Sequence, residues 1–178
     1  MNARTDEFQR IGRRLCEEGL VGANFGNMSV RERDGFSITR TGSFLDSPGE
    51  PVFVPNEGEV PPSAASSECR LHREVYRTSS HYAIVHAHPP HAVAISLHRD
   101  QIIPADSEGE MFCPVIPVVT GSPGSMEMAE NVAAALKDGK SIIVRGHGTF
   151  CGGKSLEEGY ILTSIVEHSC RVLLLSRD

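Results

Sequence analysis

The segment AIVHAHPPHAVAIS, residues 83–96, holds three histidines within six residues, and His86 and His88 are separated by a single alanine. On an extended strand, side chains two apart leave the same face, so both imidazoles can aim a nitrogen at one point, as a divalent metal requires of neighbouring ligands. Taken alone, the pair also reads as polar residues at a strand end, so more ligands are needed. His147, in IIVRGHGTFCGG, is a third candidate. It follows an apolar run and is bracketed by Gly146 and Gly148, which let the backbone turn tightly and bring the side chain inward. By itself it is equally a turn histidine.

Three further stretches suit an anion. In ASSE, Ser66 and Ser67 precede Glu68 where a helix is expected to begin, and free N–H groups with two hydroxyls there make a phosphate cradle. The plainer alternative is a serine cap with an acidic first turn. GANFGNMSVR and the later TRTGS offer Gly22, Gly26, Asn27, Thr41 and Gly42 as backbone and amide donors, or simply a turn before a hairpin. His72, His81, His98 and His168 read as surface or helix residues, and His91 supports the site at most. Cys151 is an alternative soft ligand whose simpler role is core packing.

The elements that must position these residues follow from periodicity. Phe8, Ile11, Leu15 and Leu20 fall on one face of an N-terminal helix. Met28 and Val30, then Asp34-Gly35, then Phe36 and Ile38 spell a β-hairpin, and residues 52–54 a short strand. Pro61 and Pro62 precede a helix predicted to start near Ser66, with Glu68 in its first turn. AIVHAH reads as a buried strand, PHAVAISLH as a helix opened by prolines, MEMAENVAAALK as another helix and SIIV as another strand. Ser155 and Glu158 form a capping box opening a long helix, on which Leu162, Ile165, Val166, Val172 and Leu173 face a sheet. IPADSEGEMFCP, with Asp106, Glu108 and Glu110, reads as a solvated acidic loop. Strands and helices interleave around a clear hairpin, which favours a mixed sheet with helices on both faces.

Composition narrows the function classes. The 178 residues, 39% hydrophobic, suit one globular domain. A net charge of −6 without a Lys/Arg block argues against nucleic acid or an anionic membrane as partner, and leaves any attraction for an anionic substrate to local groups. The N-terminus lacks a signal-peptide core, and no apolar run approaches the ~20 residues of a membrane span, so a cytoplasmic protein is expected. Five cysteines without a CxxC pair read as reduced buried thiols.

In order, GNMS, TRTG, SSE, HAHPPHAVAIS and GHGTF resemble the class II aldolase/adducin family, over nearly the whole chain. The resemblance implies an α/β fold, a three-layer α/β/α domain with a mixed, mainly antiparallel central sheet. It implies a zinc ion held by His86, His88 and His147, with Glu68 as the acid/base that can also approach the metal. Asn27, Thr41, Gly42, Ser66 and Ser67 would bind the substrate phosphate. The implied activity is reversible retro-aldol cleavage of a ketose 1-phosphate to dihydroxyacetone phosphate and a small aldehyde, in a homotetramer with sites at subunit interfaces. Three neutral imidazoles leave such a metal an open position, and Mn²⁺, Co²⁺ or Fe²⁺ would suit the same ligands. Glu68 is the acidic residue within the matching motifs.

Aldolases of the family are similar in drawing tyrosines from a neighbouring subunit to the aldehyde oxygen, one of them from a C-terminal tail. Here Tyr76, Tyr82 and Tyr160 all lie outside IPADSEGEMFCP, and LLLSRD carries no aromatic residue. The aldehyde therefore stays open, as do two related reactions on the same ligands, pentulose-phosphate 4-epimerisation and methylthioribulose-phosphate dehydration. An adducin-like binding module is a further alternative, which predicts broken ligands and a long basic tail.

Overall fold

Strands β1 (Asn27–Arg31) and β2 (Gly35–Ile38) form the expected hairpin, with Ser29 opposite Ile38 and Val30 opposite Ser37. The computed structural model describes residues 3–58 and 60–176. Met1, Asn2, Glu59, Arg177 and Asp178 lie outside the described residues, so the ends of the 178-residue span and one position of the proline-rich loop are not covered.

On the outer side of the hairpin β3 (Val52–Pro55) pairs with β2, and on the inner side β4 (Ala83–Ala87) pairs with β1, with His86 opposite Asn27. The sheet continues through β8 (Gly148–Gly153), β7 (Ser141–Val144), β6 (Ile116–Val119) and β5 (Gln101–Ile102), giving the order β3-β2-β1-β4-β8-β7-β6-β5. Among the described strands the pairing of β6 with β7 is parallel and the others are antiparallel, so the sheet is mixed and mainly antiparallel.

Alternation along the strands sends side chains to two helical layers. Ile84, Ile142, Val144 and Phe150 pack against α2 (Cys69–Thr78) and α5 (Met126–Leu136). Ala83, Val85 and Ala87 turn the other way, toward α1 (Ala3–Glu17) and the start of α6 (Leu156–Leu175). Farther along that second face, Ile143 and Cys151 meet α6 and α3 (Pro90–Ser96). Helices thus cover both faces, as a sheet with two apolar sides requires. No helix among the described residues is long and apolar enough to cross a membrane.

Four local expectations change. Helix α1 stops at Glu17, so Leu20 is buried from the following loop rather than from the helix. Helix α2 begins at Cys69 instead of near Ser66, because residues 39–41 and 64–66 exchange strand-like bonds: Thr41 N–H to Ala64 C=O at 3.0 Å and Ser66 N–H to Thr39 C=O at 3.1 Å. The acidic stretch is not a loop but holds a short helix, α4 (Ser107–Phe112), capped by Asp106, whose carboxylate accepts the Gly109 N–H at 2.9 Å. The capping box of α6 is half formed: Ser155 Oγ accepts the Glu158 N–H at 3.1 Å, while the Glu158 carboxylate takes the Lys154 N–H at 2.7 Å.

Candidate metal and phosphate site

The period-two pattern of β4 puts His86 on the face shared with Ile84, toward α2 and α5. There its ring stacks on Phe150 at 4.0 Å with an interplanar angle of 9°. His88 lies just past the strand. Its N–H bonds to Leu20 C=O at 3.0 Å, and its ring stacks on Phe25 at 5.3 Å. His147 sits in the turn from β7 to β8, where Gly146 adopts φ +67°, a left-handed conformation costly for residues with a Cβ. A Cβ on the next glycine, Gly148, would fall 2.3 Å from Ala87 C=O and 3.0 Å from the His88 ring, so the close approach of the histidines needs glycine there. One ring nitrogen from each of His86, His88 and His147 lies within 4.8 Å of the others, and the His86 and His88 Nε2 atoms are 3.0 Å apart.

The protonation states fit a cation. His86 Nδ1 lies 2.9 Å from Thr149 C=O, which can only accept, so Nδ1 carries the hydrogen and Nε2 presents a lone pair. Burial, reinforced by nearby His147, pulls the His86 pKa down to about 3; burial with both neighbouring histidines does the same for His88. Both rings are therefore in the neutral, ligating form near pH 7. Glu68 Oε2 lies 3.2 Å from His86 Nε2, the approach of a carboxylate to a neutral imidazole rather than an ion pair, and Oε1 lies 3.7 Å from His147 Nε2. His147 Nδ1 is buried with no partner among the described residues. An electron-rich set of three imidazoles and a carboxylate is what a divalent metal of the zinc type binds.

Glu68 occupies the N-cap position of α2, but its side chain caps nothing. Instead Oε2 accepts the Asn27 Nδ2–H at 2.8 Å, from the β1 position that pairs with His86. The pairing of residues 39–41 with 64–66 also brings Thr41 and Gly42 beside Ser66 and Ser67. The hydroxyls of Thr41 and Ser67 and the N–H groups of Gly42 and Ser67 have no protein acceptor among the described residues, leaving a ring of donors. These residues line one cavity of about 490 Å³, together with Asn27, Glu68, His86, His88 and His147. The nine residues that the family resemblance implies as metal, acid/base and phosphate groups are thus brought to one place, with Gly26 beside them, whereas Gly22 and Cys151 do not line the cavity. Arg40, Ser43, Asn24, Phe25, Pro123 and Gly124 also line it and escaped the sequence reading. Arg40, Ser43, Asn24 and Phe25 lie inside the quoted motifs, whereas Pro123 and Gly124 arrive from the turn before α5 and left no such signal.

Other candidates lie elsewhere. His72 is not a surface residue: it is fully buried, with Nδ1 2.6 Å from Ser29 Oγ, which in turn lies 2.7 Å from Tyr76 Oη. His81 is also tied inward, with Nε2 2.9 Å from Leu136 C=O. His98 and His168 are exposed, as expected. His91 Nδ1 pairs with Glu167 at 2.7 Å and does not line the cavity. Cys151 is buried on the opposite side of the sheet beside Ser141, in keeping with packing. Glu108 is exposed on α4, and Tyr76, Tyr82 and Tyr160 do not line the cavity.

Residues 6–174 match the family model described as Class II Aldolase and Adducin N-terminal domain. The chain belongs to the class II aldolase and adducin family. Within that family it is 34% identical over 164 residues to an L-fuculose phosphate aldolase of Methanococcus maripaludis strain C5, covering 90% of each chain. It is 34% identical over 162 residues to the L-fuculose phosphate aldolase of Escherichia coli K12, covering 84% of this chain and 72% of that one. Among solved structures, L-fuculose-1-phosphate aldolase from Thermus thermophilus superposes with a TM-score of 0.94 at 38% identity, covering 99% of this chain and 95% of the other.

Proposed function

We propose that this class II aldolase-like domain is a divalent-metal-dependent lyase that cleaves a ketose 1-phosphate of the L-fuculose 1-phosphate type to dihydroxyacetone phosphate and a small aldehyde. The observation that carries the reading is the meeting, in one cavity, of three converging imidazoles, one carboxylate and a ring of unsatisfied donors. His86, His88 and His147 would hold the metal, zinc by preference, with Mn²⁺, Co²⁺ or Fe²⁺ as alternatives. A bound divalent cation would supply Lewis acidity to the ketose carbonyl and its neighbouring hydroxyl.

The chain's own groups divide the remaining work. Asn27, Thr41, Gly42, Ser66 and Ser67 bind the phosphate and so fix the end of the substrate that becomes dihydroxyacetone phosphate. Cleavage takes the proton from the C4 hydroxyl, breaks the bond between C3 and C4 to release the aldehyde, and leaves C3 to gain a proton. Glu68 delivers that proton, and removes it in the synthetic direction, with Asn27 holding one carboxylate oxygen so that the other faces substrate. The working unit is a cytoplasmic homotetramer with sites near subunit interfaces. Supporting association, Met111, Phe112 and Val115 are 73%, 50% and 50% exposed around α4. The five unpaired thiols agree with a reducing compartment.

Metal analysis of the purified protein, paired with an assay of dihydroxyacetone phosphate release from L-fuculose 1-phosphate and related ketose 1-phosphates, tests the reading. About one metal per chain and release that chelation abolishes are expected. Bound metal without release would move the site to the epimerase or dehydratase chemistry, and no metal after zinc reconstitution would remove the histidine site altogether.

A further inference from the structure

A chain of net charge −6 does not draw a phosphate dianion from a distance, and inside the cavity that dianion shares space with Glu68. The donors assigned to the phosphate, hydroxyls and backbone N–H groups, are all neutral. Among the described residues that line the cavity, Arg40 is the one lysine or arginine. Its guanidinium has no carboxylate partner among the described residues, whereas Arg10, Arg14, Arg77 and Arg145 pair with Glu157, Glu74 and Asp100.

The backbone of Arg40 is fixed where such a charge is needed. Arg40 forms a bridge with Ala65, the residue before Ser66, and its carbonyl accepts both the N–H and the hydroxyl of Ser43, at 3.3 and 2.8 Å. The side chain therefore leaves from a point held between the Thr41-Gly42 turn and the Ser66-Ser67 segment. An arginine at a solvated strand end would need neither a cavity nor free donors beside it; this one has both. A guanidinium fork adds two parallel charge-assisted bonds to a phosphate, which neutral donors cannot match.

We propose that Arg40 supplies the positive charge that holds the substrate phosphate, and so makes the site select phosphorylated ketoses over their unphosphorylated counterparts. The proposal rests on the aldolase reading for its substrate but can fail separately from it. Titration calorimetry of dihydroxyacetone phosphate, inorganic phosphate and dihydroxyacetone into metal-loaded protein compares the native chain with Arg40→Gln and Arg40→Lys. Arg40→Gln is expected to weaken dihydroxyacetone phosphate roughly 10- to 100-fold, as loss of a charge-assisted pair does, and to leave dihydroxyacetone unaffected. Arg40→Lys should recover part of the loss, because the charge returns without the fork. In turnover the KM for the ketose 1-phosphate should rise by the same factor, with a much smaller change in kcat.

Binding of dihydroxyacetone phosphate within twofold of native in Arg40→Gln would overturn the proposal. So would an equal loss for dihydroxyacetone, which would mean damage to the metal site or the fold, and so would a native protein that binds neither phosphate. If phosphate binding depends on Arg40 but no ketose 1-phosphate is cleaved, the aldolase reading falls and the anion site stands.

Discussion

Glu68 stands where a helix normally takes its cap, yet its carboxylate reaches away from the helix to Asn27 and the histidines. A carboxylate released from capping and pinned by one amide can cycle a proton at a substrate carbon. In Glu68→Gln we expect metal to bind as in the native chain, because the three imidazoles are untouched. Enzyme-catalysed deuterium exchange at the hydroxymethyl carbon of dihydroxyacetone phosphate should fall by about 10²- to 10⁴-fold, the usual size of a lost general base. Proton NMR of dihydroxyacetone phosphate in D₂O reads this directly, and undiminished exchange would take Glu68 out of the role. At this scale the histidines were legible because spacing on a strand is itself geometry. Arg40 was not, since a charged residue in TRTGS has the pattern of any solvated strand end, and only the pairing of residues 39–41 with 64–66 turns it into a cavity residue.

Elements were readable where local chemistry decides them. Asp34-Gly35 marks the hairpin, and Ser155 marks α6, whose first turn takes its cap from Ser155 Oγ. Because Glu158 spends its carboxylate on Lys154, Ser155 alone supplies that side-chain cap. Ser155→Ala should therefore cost about 1 kcal/mol, seen as a lower urea midpoint at unchanged m-value, with kcat unchanged because α6 does not line the cavity. A midpoint equal to native would mean that packing of α6 against the sheet, not its cap, holds the first turn. Elements decided by partners were hidden. β8 is GTFCGG, whose three glycines signal breaks rather than a strand, and it exists because β4 and β7 pair with it on either side. β6 contains Pro117, and β5 is two residues long. The start of α2 was misplaced because the bonds that delay it to Cys69 come from residues far back in the chain.

For the molecule as a whole, the sheet that carries the metal candidates also buries an ionisable group beneath them. His72 ties α2 to β1 through Ser29 and Tyr76, and burial pulls its pKa to about 3. In the unfolded chain a histidine titrates near ~6.5. Below that value the unfolded state takes up a proton that the folded state refuses, so stability is whole above about pH 6.5 and falls progressively as pH drops toward the folded value of about 3. At pH 5 the loss from this one residue is on the order of 2 kcal/mol. His72→Phe removes the titrating ring while Ser29 and Tyr76 keep each other as partners. With both chains stripped of metal, the urea midpoint of the native chain should therefore fall relative to that of His72→Phe as pH drops from 7 to 5, whatever the sign of their difference at neutral pH. Parallel curves would place the acid sensitivity of the fold in other groups, and would mean that His72 accepts its proton without leaving the native state.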